Sequence, residues 1–122
     1  SSRWRPAPAA TARFIARVAD LGYEVYVSEI DVNDIDFSDG LAERDRQVAD
    51  AYESFLSAVL EEKAVRRVVF WGLSDAVHWI TTWSSSESRG LAARPALFDY
   101  NDDPKPALAA VRRALAAAPD RR

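Results

Sequence analysis

Two short apolar runs set between helical patterns constrain the fold of this 122-residue chain more than any other feature. Residues 23–30 and 66–73 are rich in Val, Tyr, Phe and Ile, a composition typical of strands covered on both faces. Apolar residues at helical spacing precede, separate and follow them, over about 9–21, 41–62 and 104–118. Strands that alternate with helices predict an α/β fold with a parallel sheet and its helices outside.

Two parallel strands are too few for a free-standing domain, because a stable sheet usually has three or more strands and a cover. The helical segments leave little room for further strands. A polar loop over residues 31–40 and a long connection over 74–103 account for most of the remaining chain. We therefore predict that residues 1–122 are part of something larger and not a complete domain.

Composition argues against several classes of function. The net charge is −3 and no dense basic run occurs, so nucleic acid is not an expected partner. No apolar run approaches the roughly 20 residues that span a membrane, and Arg3 and Arg5 are followed by no apolar signal-peptide segment. With no cysteine and a single histidine, the sequence implies no metal site and no cofactor.

Carboxylates and indoles stand where the two predicted strands end. Glu29 lies at the end of the first strand and Asp31 just after it, while Trp71 lies near the end of the second strand and Trp79 follows that strand. Ligands of parallel α/β folds bind at the carboxyl ends of strands. Tryptophan faces stack on the C–H faces of sugar rings, and carboxylates bind hydroxyls or perform the chemistry, so the pattern favours a sugar site. Helix capping or ion pairing for the acids, and core packing for the indoles, stay open as alternatives.

Four segments carry a resemblance to a known family. "VYVSEIDV" is similar to the seventh-strand segment of family 10 glycoside hydrolases, the endo-β-1,4-xylanase family, commonly Thr-Glu-Leu-Asp-Val. "RDRQVADAY" resembles the helix that follows, and "VVFWGLSDAVHW" resembles the eighth-strand signature with its two tryptophans. "PALFDYNDDPKPALAAVRRAL" resembles the family's ending. The four segments occur in the family's order and cover the chain from about residue 12.

The resemblance implies a fold that accounts for the missing strands. Family 10 enzymes are (β/α)8 TIM barrels. The chain resembles only the C-terminal portion of such a barrel: helix 6, strand 7, helix 7, strand 8 and helix 8. The expected structure is therefore two parallel strands with three helices, completed by a remaining barrel segment or by self-association.

The resemblance also implies roles for individual residues. Glu29 matches the catalytic nucleophile of a retaining glycosidase, and Asp31 matches a supporting acid, with a solvated loop position as its alternative. Trp71 and Trp79 match the tryptophans that flank the bound sugar. His78 stands where the family usually has serine and is a candidate substrate-binding residue. The implied substrate is xylan or a similar β-1,4-linked polysaccharide, and the implied location is secreted or periplasmic.

Some family features are missing. No Asn-Glu-Pro motif, which carries the general acid/base glutamate, occurs in the chain. Ile80 replaces an arginine common after the second tryptophan, which casts doubt on strict xylan specificity. Trp83 has no family counterpart and is predicted to be a loop or lid residue. We expect the chain alone to be inactive. The alternatives are a non-catalytic carbohydrate-binding remnant and a self-associating barrel remnant.

Overall fold

The computed structural model describes residues 7–83 and 91–121. Its elements, in chain order, are α1 (Pro8–Asp20), β1 (Val25–Ile30), α2 (Leu41–Val59), β2 (Val65–Phe70), α3 (Trp79–Trp83) and α4 (Pro106–Ala117). The three long helices and two strands confirm the predicted order. The five-residue α3 lies in the connection where no helix was predicted, because one turn leaves no periodicity to detect. The side chain of Trp83, a predicted lid, lies outside the described residues.

The two strands pair in parallel, as predicted, but their register is not uniform. Val27 lies opposite Val68 and Ile30 lies opposite Phe70, so β1 advances three residues while β2 advances two. The irregularity falls on the segment that contains Glu29. Such an irregularity interrupts strand alternation and re-aims the side chains within it.

One face of this sheet carries the core. Val25 and Val27 of β1, with Val68 and Phe70 of β2, pack against a buried cluster. The cluster is built largely on α2 and α4, and its members include Val48, Tyr52, Leu56, Val59, Ala107, Ala110, Val111 and Ala114. Each of these helical side chains is at most 3% exposed, so the sheet–helix layer is closely packed. No helix within the described ranges is long and apolar enough to cross a membrane.

The opposite face of the sheet is open. Tyr26 is 54% exposed and Val69 is 38% exposed, and the Arg67 guanidinium lies over the Tyr26 ring, 5.0 Å from its centroid. The prediction of strands covered on both faces is therefore wrong for the described residues. The apolar side chains of both strands are buried on the helix side only, because nothing between residues 7–83 or 91–121 packs over the other side.

The polar side of α2 is not simply a solvated face. Arg44 and Asp45 are buried, at 2% and 8% exposure. The Arg44 Nε donates to Asp34 Oδ2 at 2.6 Å, and Arg94 makes a two-point contact with Asp45 at 2.7 and 2.8 Å. These pairs bring the loop after β1 and the segment after residue 91 against α2. Helical spacing places such residues on a face but cannot predict partners from distant segments.

Candidate functional site

An open depression at the ends of the strands is lined by three aromatic rings and three smaller side chains. Its volume is about 380 Å³, and it is lined by Trp71, Ala76, Val77, His78, Trp79 and Thr82. Trp71 follows β2 directly, and Trp79 opens α3. Their side chains are 53% and 46% exposed. We call Trp71 and Trp79 the tryptophan wall. Accessible indole faces of this kind stack on the apolar faces of sugars.

Asp31 connects the end of β1 to the tryptophan wall. The Nε1–H of Trp79 donates to Asp31 Oδ2 at 2.7 Å. The backbone N–H of Trp71 donates to the Ile30 carbonyl at 3.2 Å, so the pairing of the two chain segments continues just past β2. The Trp79–Asp31 hydrogen bond fixes the polar edge of the Trp79 indole and so orients the ring, which stays partly exposed.

Glu29 lies beside this depression and not in its lining. It is exposed on β1, one residue before the strand ends at Ile30. Because β1 does not reach Asp31, strand alternation does not determine whether the two acids point to the same side. The structure thus brings Trp71, His78 and Trp79 together and links Asp31 to them. Glu29 is placed on the adjoining strand end.

His78 is part of the depression and yet is only 6% exposed. Its Nδ1 accepts the Ile80 N–H at 3.1 Å, so a neutral ring carries its proton on Nε2. Within the described ranges Nε2 has no hydrogen-bond partner. Burial lowers the pKa of the imidazole below its ordinary value. A loop histidine is more often exposed; this one is held inside the site.

Gly72 makes room for that ring. Its φ is +119°, a conformation that side chains disfavour, and a Cβ there would lie 2.7 Å from the imidazole Cδ2. The imidazole also lies near the Trp79 indole, with centroids 6.5 Å apart and planes at 26°. Ile80, where the family often has arginine, is fully buried and contributes packing instead of a polar contact.

A buried ion pair that joins the segment after β2 to the start of α4 was missed by sequence reasoning. Asp75 is 0% exposed and Lys105 is 4% exposed, and Lys105 Nζ lies 3.0 Å from Asp75 Oδ2. Burial raises the pKa of the Asp75 carboxyl and lowers the pKa of the Lys105 ammonium. The two residues stand far apart in the sequence, and no spacing rule connects them.

Metal-binding chemistry has no support in the described part of the chain. No group of three or more His, Cys, Asp or Glu side chains there could hold a metal ion. Asp34, the other fully buried acid, accepts from Arg44 Nε at 2.6 Å and from the Arg94 N–H at 2.8 Å. Its other oxygen has no partner within the described ranges. Asp34 therefore serves to fasten the loop after β1.

Curated xylanases are similar to the chain in sequence. It is 27% identical over 101 residues to endo-1,4-beta-xylanase B of Thermotoga neapolitana, covering 83% of this chain and 28% of the relative. It is 32% identical over 110 residues to a beta-1,4-xylanase of Dictyoglomus thermophilum, and this match covers 84% of this chain and 30% of that relative. The chain thus spans less than a third of these curated relatives.

Solved xylanases share the fold. Native xylanase 10B from Thermotoga maritima aligns with a TM-score of 0.73 and 28% identity, over 89% of this chain and 32% of that one. Xylanase 10B from Thermotoga petrophila, in complex with xylobiose, aligns with a TM-score of 0.74 and 26% identity, over 91% and 32%. The two strands and their helices therefore correspond to a portion of the TIM barrel of these xylanases.

The family model described as "Glycosyl hydrolase family 10" matches residues 3–114, nearly the whole chain. The match includes both strand ends, the tryptophan wall and most of α4. Sequence relatives, structural neighbours and the family model agree, and this chain belongs to glycosyl hydrolase family 10.

Proposed function

We propose that this chain supplies the nucleophile and the sugar-binding wall of a retaining β-1,4-xylanase site. The hydrogen bond from Trp79 to Asp31 carries the proposal, because it joins the acid-bearing end of β1 to the tryptophan wall. The xylobiose held by the Thermotoga petrophila relative supports xylo-oligosaccharide as the ligand class. In this proposal Glu29 is the nucleophile, Asp31 orients Trp79, and Trp71, Trp79 and His78 contact the sugar.

The chemistry follows from the position of Glu29. Its ionised carboxylate attacks the anomeric carbon while the glycosidic C–O bond breaks, and the leaving oxygen takes a proton from a general acid. Water then attacks the anomeric carbon, gives its proton to the same group acting as base, and frees Glu29. Exposure of Glu29 at the strand end suits this role, since the carboxylate must reach the sugar.

A second carboxyl about 5–5.5 Å away is needed for this mechanism. The candidates near the site within the described ranges are otherwise engaged: Asp31 accepts from Trp79, Asp75 pairs with Lys105, and Asp34 pairs with Arg44. We therefore assign the acid/base role to a remaining barrel segment, and we expect the isolated chain to be inactive. The chain's 28% share of a full-length relative supports this division.

The test compares the chain alone with the chain reconstituted with the remaining part of a family 10 barrel. The isolated chain should release no reducing sugar from xylan, and the reconstituted complex should release it. Glu29→Gln should lower the rate in the complex by about three orders of magnitude or more, as expected for a lost nucleophile. A 2-deoxy-2-fluoro xylobioside should label the peptide that contains Glu29, which mass spectrometry detects.

Glu24→Gln is the matched control, since Glu24 is an exposed glutamate just before β1. It should leave the rate unchanged. Retained hydrolysis in Glu29→Gln would reject the nucleophile assignment. Hydrolysis by the isolated chain that disappears in Glu29→Gln would reject the need for a second segment. Sugar binding without any hydrolysis in the complex would favour the non-catalytic alternative.

We also propose that the protein acts outside the cytoplasm, in a secreted or periplasmic location. The reason is the proposed substrate, because xylan is a polymer that has to be cut before its sugars enter a cell. Cell fractionation with an antibody against the chain tests this; antigen confined to the cytoplasm would reject it.

A further inference from the structure

The buried pair of Asp75 and Lys105 does not line the depression, although Asp75 directly precedes Ala76 of its lining. The depression is bordered by residues on either side of Asp75 in the sequence, Trp71 and Ala76 among them, but not by Asp75 itself. Lys105 stands one residue before α4. The pair therefore cannot touch a ligand in the depression, and any effect on binding has to pass through the residues it holds.

Asp75 fastens the segment of the tryptophan wall at several points. Its N–H donates to the Phe98 carbonyl at 2.9 Å, and its own carbonyl accepts from Thr81 Oγ1, on α3, at 2.9 Å. Its Oδ1 accepts the Ala96 N–H at 2.8 Å. These bonds join the turn after β2, the helix that begins with Trp79, and the segment that leads into α4.

Lys105, at the start of α4, contacts the same segments as Asp75. Besides its contact with Asp75, its Nζ donates to the Arg94 carbonyl at 2.7 Å. The Lys105 N–H donates to the Leu97 carbonyl at 2.9 Å. The ammonium therefore bridges residue 75 and residue 94 and holds both against the start of α4.

Buried ion pairs are in general a weak source of stability, because the cost of removing two charges from water offsets their attraction. Burial raises the pKa of Asp75 and lowers the pKa of Lys105, because desolvation disfavours the charged form of each group. Replacing a buried ion pair with neutral residues of similar shape is often neutral or stabilising, whereas removing one partner leaves a costly unpaired charge. What the pair does supply is a defined geometry for the groups that surround it.

We infer that Asp75 and Lys105 are positioning residues that hold Trp79 and α3 in the orientation that binds sugar. The inference rests on the proposed function, because it presupposes that the tryptophan wall binds xylo-oligosaccharide. Trp79 is then held from two sides: Asp31 fixes the edge of its indole, and the Asp75–Lys105 pair fixes the backbone that carries it.

The test separates stability from binding with the double variant Asp75→Asn/Lys105→Met. The new asparagine keeps an acceptor for the Ala96 N–H, and the new methionine keeps most of the length of the apolar lysine stem. Urea denaturation should show a midpoint equal to or above that of the wild type. Xylotriose affinity, followed by tryptophan fluorescence in the chain alone and in the reconstituted complex, should fall roughly three- to tenfold, as for a misaligned contact.

Two comparisons make the result specific. The single variants Asp75→Asn and Lys105→Met should both lower the urea midpoint, since each leaves one buried charge unpaired. Glu53→Gln/Arg113→Met removes another carboxylate–cation pair, this one on the exposed surface between α2 and α4, where the contacts are 3.0 Å. It should leave xylotriose affinity unchanged.

The outcomes distinguish this inference from the proposed function. Wild-type xylotriose affinity in a stable Asp75→Asn/Lys105→Met variant would overturn the positioning role and leave the proposed function standing. Wild-type affinity in Trp71→Ala, or no saturable binding by the wild type in either form, would overturn the proposed sugar wall itself. Affinity that falls with the stability midpoint in every variant would mean that the pair is only structural.

Discussion

The chain contains one imidazole, that of His78, and its surroundings favour the neutral form. Burial is the main reason that its pKa lies below the ordinary 6.5; the Lys105 charge acts in the same direction, and the Asp31 and Asp34 charges oppose it. The unfolded chain therefore binds a proton near pH 6.5 while the folded chain does not. Stability from this residue is present above pH 6.5 and is lost as the pH falls below it.

We predict that His78→Gln flattens the acid side of the stability profile. Glutamine does not titrate, so the loss of unfolding free energy between about pH 7.5 and about pH 5 should be smaller in the variant than in the wild type. Urea denaturation at several pH values measures it. The carboxylates, including Asp75 with its raised pKa, are present in both proteins. Their contributions to the pH dependence therefore cancel when the stability profile of the variant is subtracted from that of the wild type. Parallel profiles would contradict the prediction.

At the scale of elements, α2 and α4 meet along a stripe of small side chains. Ala107, Ala110 and Ala114 on α4 are each at most 3% exposed. They belong to the same buried cluster as Val48 and Tyr52 of α2. Alanine at these positions lets the two helices approach closely, and a longer side chain has no free space to enter.

We predict that Ala110→Leu destabilises the fold by about 1–3 kcal/mol, the usual cost of overpacking a filled core. Thermal or urea unfolding measures the change. Ala109→Leu is the matched control, because Ala109 is the exposed neighbour of Ala110 on the same helix. Alanine and leucine have similar helix propensities, so helix propensity does not separate the two variants. Its effect should stay within about 0.5 kcal/mol. Equal effects of the two variants would mean that the α2–α4 contact is loosely packed.

At the scale of the whole molecule, the two-stranded sheet is open on one face. Tyr26, Arg67 and Val69 lie on that face, and Phe14 and Leu21 of the α1 segment are 60% and 75% exposed. Apolar surface and unpaired strand edges of this kind favour association with other chains. Either the remaining barrel segment or a second copy of the chain can cover them.

We predict that the isolated chain associates in a concentration-dependent manner and that Val69→Lys weakens this association several-fold. A buried lysine at the sheet face would be costly in any contact that covers the face. Sedimentation velocity over a concentration series measures it. Leu115→Lys is the control, since Leu115 is exposed at 49% on α4, away from the sheet. A monomer at every concentration would exclude self-association and leave the barrel segment as the partner.

Local patterns in the sequence were sufficient to predict the order of the helices and strands and to identify the family. Apolar periodicity depends on neighbouring residues, so α1, β1, α2, β2 and α4 were predicted within a few residues of their bounds. Trp71, His78 and Trp79 come together because one short turn after β2 carries all three. Their meeting with Asp31 was expected from parallel topology, which brings the ends of adjacent strands to one edge.

Only the tertiary structure decided which polar residues are buried and what they hold. Arg44, Asp45 and His78 are each buried, and nothing in their spacing along the sequence indicates it. The contact of Asp75 with Lys105 joins the turn after β2 to the start of α4. Burial and pairing of this kind depend on segments that pack together from distant parts of the chain, and neither periodicity nor spacing records which segments these are.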